Sequence, residues 1–213
     1  MPTERRLSCL LLACACAAVL SSRPARAGEP WEASPEPELS VTAQLVLGWG
    51  HERVAPDAPD GVHSGLSILV RRRGWAAGPL FEAAGGDAHD SAYLGLAAGA
   101  VVDPAPWMRV ELLAEGGAHW IFVENPYAWQ PSGRAALPYL GARAALLVLG
   151  HTFRSPMLLW ARRAGVGLQI GVRTDLSRAS VGLSYPPEMG LPPDVEDVGG
   201  SSLTALLVLP IEW

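Results

Sequence analysis

Lysine is absent from all 213 residues: the 16 basic side chains are all arginine, and asparagine occurs only at Asn125. Loss of both fits the mutational background of a very GC-rich genome before it fits any function. Charge of either sign is scarce, at 17% of residues, and the formal net charge is −5. Removing residues 1–27 takes away four arginines and Glu4, leaving 12 basic and 20 acidic residues and a net charge of −8. An acidic chain without a basic stripe is a poor nucleic-acid partner, because phosphates need clustered cations. The one cluster, Arg71-Arg72-Arg73, reads as the cap of a strand end.

Cysteine is confined to Cys9, Cys14 and Cys16. The rest of the chain therefore has no disulfide framework, no thiolate metal ligand and no cysteine nucleophile. Outside the first thirty residues no apolar run reaches the ~18 needed for a membrane-spanning helix. With 23 Gly and 19 Pro the chain is also too interrupted for a helical bundle, and at 49% hydrophobic it is too apolar for a disordered tail.

What is present begins with an address. Arg5 and Arg6 precede an apolar stretch, Leu7 to Leu20, and Ala25-Arg26-Ala27 forms a small-x-small cleavage site before Gly28. This is the layout of a secretory signal peptide over residues 1–27. Leu11-Leu12-Ala13-Cys14 offers lipid attachment at Cys14 as the alternative. Residues 28–38, rich in Pro and Glu, read as a flexible lead-in to one domain over 39–213.

From there the hydrophobic period is two. Val41, Ala43, Leu45, Leu47 and Trp49 share a face, as do Leu66, Ile68 and Val70. Leu94 to Val102 alternate in the same way. Met108, Val110, Leu112, Ala114, Ala118 and Trp120 oppose Arg109, Glu111, Glu115 and His119, with Leu113 as the exception. Leu140 to Val148 alternate with Gly141 and Arg143. Across 158–173, Leu168, Ile170 and Val172 oppose Arg163, Gln169 and Arg173. Segments 75–85 (which contains Pro79), 178–185 and 203–213 complete a set of nine, with 150–157 a weak further candidate. A closed sheet wants an even number, so eight strands are expected, with ten as the alternative. Residues 51–61, 121–137 and 186–202 read as Pro-rich or acidic loops, and Asp103-Pro104-Ala105-Pro106 reads as a tight turn.

Two environments accept the apolar faces. In a soluble β-sandwich or lipocalin-like binder they point inward. In a membrane barrel they point to lipid, and small and polar side chains fill the lumen. Three features favour the barrel. Its long strands exceed the globular norm of ~5–6 residues. Trp49, Trp75, Trp107, Trp120, Trp160 and Trp213 fall at strand ends, where an indole with an apolar body and a polar N–H suits the membrane interface. Glycine shares the polar faces with a few charges, which gives a lumen network of Arg109, Glu111, Glu115, His119, Arg143, Arg163, Gln169 and Arg173.

The C-terminus repeats the pattern. Leu203, Ala205, Leu207, Leu209, Ile211 and Trp213 are apolar or small at every second position, ending on an aromatic residue. Together with the leader, this resembles the small OmpA-like and OmpW-like outer-membrane barrels of Gram-negative bacteria over roughly residues 38–213. Leu206 and Val208 depart from it by making the lumen face of this strand greasy. Pro210, which removes a backbone donor, is a second departure.

The resemblance implies an all-β, closed, antiparallel up-and-down transmembrane barrel, a monomer in the outer membrane. Its partners are membrane lipid and the barrel-assembly machinery, the latter reading Leu207, Leu209, Ile211 and Trp213. It implies a non-enzymatic structural, adhesive or small-solute role with a narrow or plugged lumen, and no cofactor. Some small barrels are lipid-modifying hydrolases, so the histidines need testing. No pair has metal-ligand spacing, and no G-x-S-x-G, Walker or dinucleotide motif occurs. His89-Asp90-Ser91 holds triad residue types, but as chain neighbours. His119 with Glu115 is the one acid–base pair on a strand face, more simply read as a lumen hydrogen bond.

Overall fold

The computed structural model describes residues 39–53, 60–85, 89–124, 131–151, 161–183 and 194–213. The leader, Cys14 and the 28–38 lead-in lie outside these residues, as do Trp160 and 152–157 of the weak 150–157 candidate, whose first two residues end β6. Ten strands occur among the described residues. They are β1 (Ser40–Arg53), β2 (Asp60–Arg72), β3 (Trp75–Gly85), β4 (His89–Ala105), β5 (Met108–Glu124), β6 (Pro131–His151), β7 (Arg163–Asp175), β8 (Ala179–Leu183), β9 (Asp194–Val198) and β10 (Ser201–Glu212).

Eight of them close into one antiparallel barrel in the order β1-β10-β7-β6-β5-β4-β3-β2, each pairing with its neighbour and β1 with β2. Closure excludes the β-sandwich. The remaining two, β8 and β9, form a separate two-stranded ribbon. This explains the awkward count of nine. Segment 178–185 alternates like a barrel strand, but its arm pairs with β9, inside the stretch expected to be the 186–202 loop. The other expected loops shrink in the same way: 51–53 and 60–61 belong to β1 and β2, and 121–124 and 131–137 to β5 and β6. Asp103 is also strand, not turn. β4 runs on to Ala105 through a register shift after Val102, leaving Pro106 and Trp107 as the turn. Pro79 is accommodated in β3, where the β2 pairing skips from Leu80 to Ala77.

Register fixes the barrel's shape. Successive pairs lead from His51 to Leu203, Val172, Ala142, Ala114, Ala98, Ala77, Val70 and back to β1 at Val41, ten residues from the start. With ~3.3 Å per residue and ~4.8 Å between strands, that shear over eight strands sets a tilt of about 40°. The strand directions put β1's start, the Arg73-Gly74 and Pro106-Trp107 turns and Trp213 at one end. The ribbon and the β1–β2, β3–β4 and β5–β6 connections lie at the other. Arg73 (φ 48°) and Gly74 (φ 80°) both take the left-handed conformation that a two-residue hairpin requires.

The barrel is apolar outside. Outward positions run from Leu39 to Trp49, Val62 to Val70, Trp75 to Ala83, Ala92 to Val102, Met108 to Trp120, Ala136 to Val148, Ala164 to Val172 and Leu203 to Trp213. None carries a charged residue, and Ser64 is the one hydroxyl. Leu96, Leu168 and Ile170 are 66%, 68% and 61% exposed. The eleven residues from Leu39 to Trp49, at that rise and tilt, span about 25 Å.

Glycine supplies room inside. A Cβ on Gly95 would lie 2.4 Å from the Gly116 carbonyl oxygen and 2.7 Å from the Tyr139 hydroxyl. Gly95→Val should therefore destabilise the barrel by at least the ~1–3 kcal/mol typical of overpacking. The check is the urea midpoint in detergent, and an unchanged midpoint would mean this wall is not closely packed.

Candidate polar core of the barrel

A charge inside a closed sheet must find its partner within the barrel, on an adjoining strand or across the lumen, since its neighbours along the chain point outward. The described interior holds Arg71, Arg109, Arg143, Arg163 and Arg173 with seven carboxylates, Glu52, Glu82, Asp103, Glu111, Glu115, Asp175 and Glu212. They are arranged in tiers.

At the turn end, Asp103 accepts from Arg71 Nη1 (2.7 Å) and Arg109 Nε (2.9 Å). Glu212 meets Arg109 Nη2 at 2.9 Å and Arg163 Nη2 at 3.0 Å. Above this, Gln44 Nε2 donates to Glu111 (2.8 Å), Ser67 donates to Gln44 Oε1 (3.1 Å), and Arg143 Nη2 reaches Ser67 at 3.4 Å.

Arg173 is the hub of the upper tier. Its Nη1 and Nη2 donate to the two oxygens of Glu82, each at 2.7 Å, and its Nε donates to Glu115. Arg143 Nε stands 4.0 Å from the other Glu115 oxygen. His63, fully buried, meets Glu82 through Nδ1 at 2.9 Å. Its Nε2 faces Glu52 at 3.6 Å.

Tyr93 ties this tier to the loop end. Its ring lies between His119, stacked at 4.0 Å, and the Arg173 guanidinium, 4.5 Å from the centroid, with Tyr139 edge-on at 5.3 Å. Its hydroxyl donates to Glu52 (3.0 Å), which also accepts from Ser91 (3.0 and 3.1 Å). His119 Nδ1 meets Asp175 at 2.9 Å, and the second Asp175 oxygen accepts from Gly200 N. Apolar clusters fill the space between. One contains Val46, Leu147, Leu206 and Val208, and another Leu69, Leu80, Val101 and Leu113.

All eight side chains expected in the lumen network point inside, but not in one cluster. Arg109 and Arg163 belong to the turn end, and Arg163 is part-exposed. Glu111, Glu115, Arg143 and Arg173 lie above. Gln169 is buried without a protein partner for its Nε2. His119 does not pair with Glu115: Asp175 holds it, because Asp175 ends β7 beside Tyr139 at the mouth. The His89-Asp90-Ser91 grouping is dispersed by strand alternation, with His89 on Glu196 (3.0 Å), Ser91 on Glu52 and Asp90 exposed. His63 lies in β2 and His89 in β4.

Sequence reasoning missed Gln44, Glu52, His63, Ser67, Glu82, Tyr139, Asp103, Asp175 and Glu212 as interior partners. Parity would have found Glu212, since it alternates with Ile211 and Trp213, and Glu82 once β3 is accepted as a strand. Of the tryptophans, Trp75, Trp107 and Trp213 are exposed near the turn end, and Trp49 is exposed nearer the loop end. Trp120, also toward the loop end, is part-buried. Leu207, Leu209 and Ile211 face outward, and Trp213 closes against β1 through paired bonds to Val41 (2.9 and 3.2 Å).

No protein-family model matches this chain, and no curated protein matches it. Among solved structures it is similar to Neisserial surface protein A, with 13% sequence identity and a TM-score of 0.47. That alignment covers 81% of this chain and 96% of the other.

Arg173→Met would strand Glu82 and Glu115. We expect a loss of ~3–5 kcal/mol in unfolding free energy in detergent, largely recovered by adding Glu82→Gln and Glu115→Gln. A loss below ~1 kcal/mol would mean Arg173 is not the hub.

Proposed function

We propose that this chain is an outer-membrane β-barrel with a filled, non-conducting lumen, exported by its N-terminal leader and acting through its loop end. The observation that carries this reading is the inverted polarity of the closed sheet: a charge-free outer wall about 25 Å tall around an interior of paired arginines and carboxylates. A water-soluble barrel of the lipocalin kind does the opposite, keeping an apolar interior for its ligand and a polar wall for solvent. Hydrocarbon is the solvent that suits this wall, and membrane lipid is the first partner. The two tiers of tryptophan suit the two interfaces.

Both ends of the described barrel chain lie at the turn end, which is the periplasmic side if the longer connections face outward, as is usual in such barrels. In that orientation Leu207, Leu209, Ile211 and Trp213 form the outward face of the last strand, available to the assembly machinery. The role is structural or adhesive and not enzymatic, because the interior arginines and carboxylates are engaged with one another across three tiers. The barrel works as a monomer.

The test is membrane extraction and gel mobility. The protein should stay with the membrane until detergent is added and migrate differently before and after heating. In planar bilayers it should give no discrete conductance steps. Leu168→Arg, on the outer wall, should cost ~2–4 kcal/mol and impair assembly. Recovery of the native protein in a detergent-free soluble fraction would overturn the membrane reading, and stepwise conductance would overturn the filled lumen.

A further inference from the structure

We infer that the β8–β9 ribbon is a hinged lid over the polar mouth of the barrel, able to open and wet the groups that His119 and Tyr93 gather there. The ribbon shares no ladder with the barrel. It lies against the inward face of the tall β5–β6 wall, where Val181 and Val198 pack with Ile121, Val123, Ala135 and Leu137. Beside that wall, Glu196 of β9 meets His89 of β4, the register partner of Val123, at 3.0 Å. The ribbon thus reaches from its roots on β7 and β10 to β4, which lies four places round the eight-strand ring from β10.

The roots of the ribbon suit a hinge. Gly199 has φ 116°, a conformation that side chains resist, and it is followed by Gly200. A groove of about 300 Å³ runs along both roots, lined by residues 174–178 and 199–200. The barrel's own hold on these roots is through two backbone bonds, Asp175 N to Gly200 O and Leu176 N to Pro138 O, and through Gly200 N donating to the Asp175 carboxylate. These anchor the base and leave the ribbon's body to the valines and the clasp.

The closed position carries a penalty that favours opening. Beneath the ribbon, His119 Nε2 and Tyr139 Oη are buried without a hydrogen-bond partner in the protein, and so is His89 Nδ1 at the clasp. Unpaired buried polar groups are destabilising, and water entering an open mouth would satisfy them. The apolar contact favours closure and polar hydration favours opening, which is the balance a two-state lid needs.

The chain after Cys16 has no cysteine, so an engineered pair can form only one disulfide. A Cβ on Gly133 would lie 2.1 Å from Val181 Cγ1, so Gly133→Cys with Val181→Cys places the two thiols in reach. The experiment is carbethoxylation of histidine by diethyl pyrocarbonate in detergent micelles, mapped by peptide mass spectrometry. His51, exposed at the rim, serves as the internal control, and heat-dependent gel mobility confirms that each variant is folded.

His119 should be modified in the wild type and in the reduced double variant, and protected in the oxidised one. Glu196→Gln should raise its rate roughly three- to tenfold by weakening the clasp. Equal rates at His119 in oxidised and reduced protein would overturn the lid, whether both are fast or both negligible. The readout needs no lipid, so its failure is distinct from failure of the membrane reading.

Discussion

A charge inside a closed eight-stranded sheet cannot escape to water sideways, so every buried arginine needs carboxylates within reach inside the barrel. Arg173 shows how tightly this constrains the molecule. It holds Glu82 with two parallel bonds and Glu115 with a third, and its cationic face covers Tyr93. Those contacts join β7 to β3, β4 and β5, so the tilt, the register and the upper interior depend on one another. Such a core is not a source of great stability, since desolvation offsets much of the ion-pair attraction. Its contribution is selectivity: a slip of one residue in any strand would turn apolar side chains inward and charges outward.

The same alternation links core to wall. Because charges occupy the inward positions, the outward ones are free to be apolar but for Ser64, and leucine, isoleucine, valine, alanine and tryptophan fill most of them. The outer wall is thus a consequence of how the interior is built. The ends relax the rule. His51, Asp60, Asp90 and Arg134 face outward only past the apolar band, and Arg72 only below it. At the mouth the tall β5–β6 wall turns apolar inside, giving the ribbon somewhere to dock.

Much of this was legible in the residues. Arg109, Glu111, Glu115 and His119 fall on one face of β5 by simple alternation, and even the exception, Leu113, proves to be interior, in an apolar cluster. Leu206 and Val208, the greasy departures on β10, likewise join an interior cluster. Partner choice was not legible. Arg173 and Glu82 are 91 positions apart and Gln44 and Glu111 are 67 apart, and a shear of ten, not local spacing, brings them together. Glu82 was hidden in a strand weakened by Pro79 and small residues. Asp175 and Glu52 lay beyond the expected strand ends. The ribbon arm imitated a barrel strand because it too has one apolar face, supplied by Val181, although that face packs on the wall of the mouth.

On the membrane reading the outward face meets hydrocarbon while the inward face is filled. Single cysteines at consecutive positions 166–172 of β7 test it most directly, since no native cysteine follows Cys16. Each would be spin-labelled in lipid vesicles and its collisions with oxygen and with a water-soluble nickel reagent measured. Oxygen collisions should peak at Val166, Leu168, Ile170 and Val172, with both reagents excluded at Gly167, Gln169 and Gly171. Nickel collisions peaking at Leu168 and Ile170 would place that face in water and overturn the membrane reading.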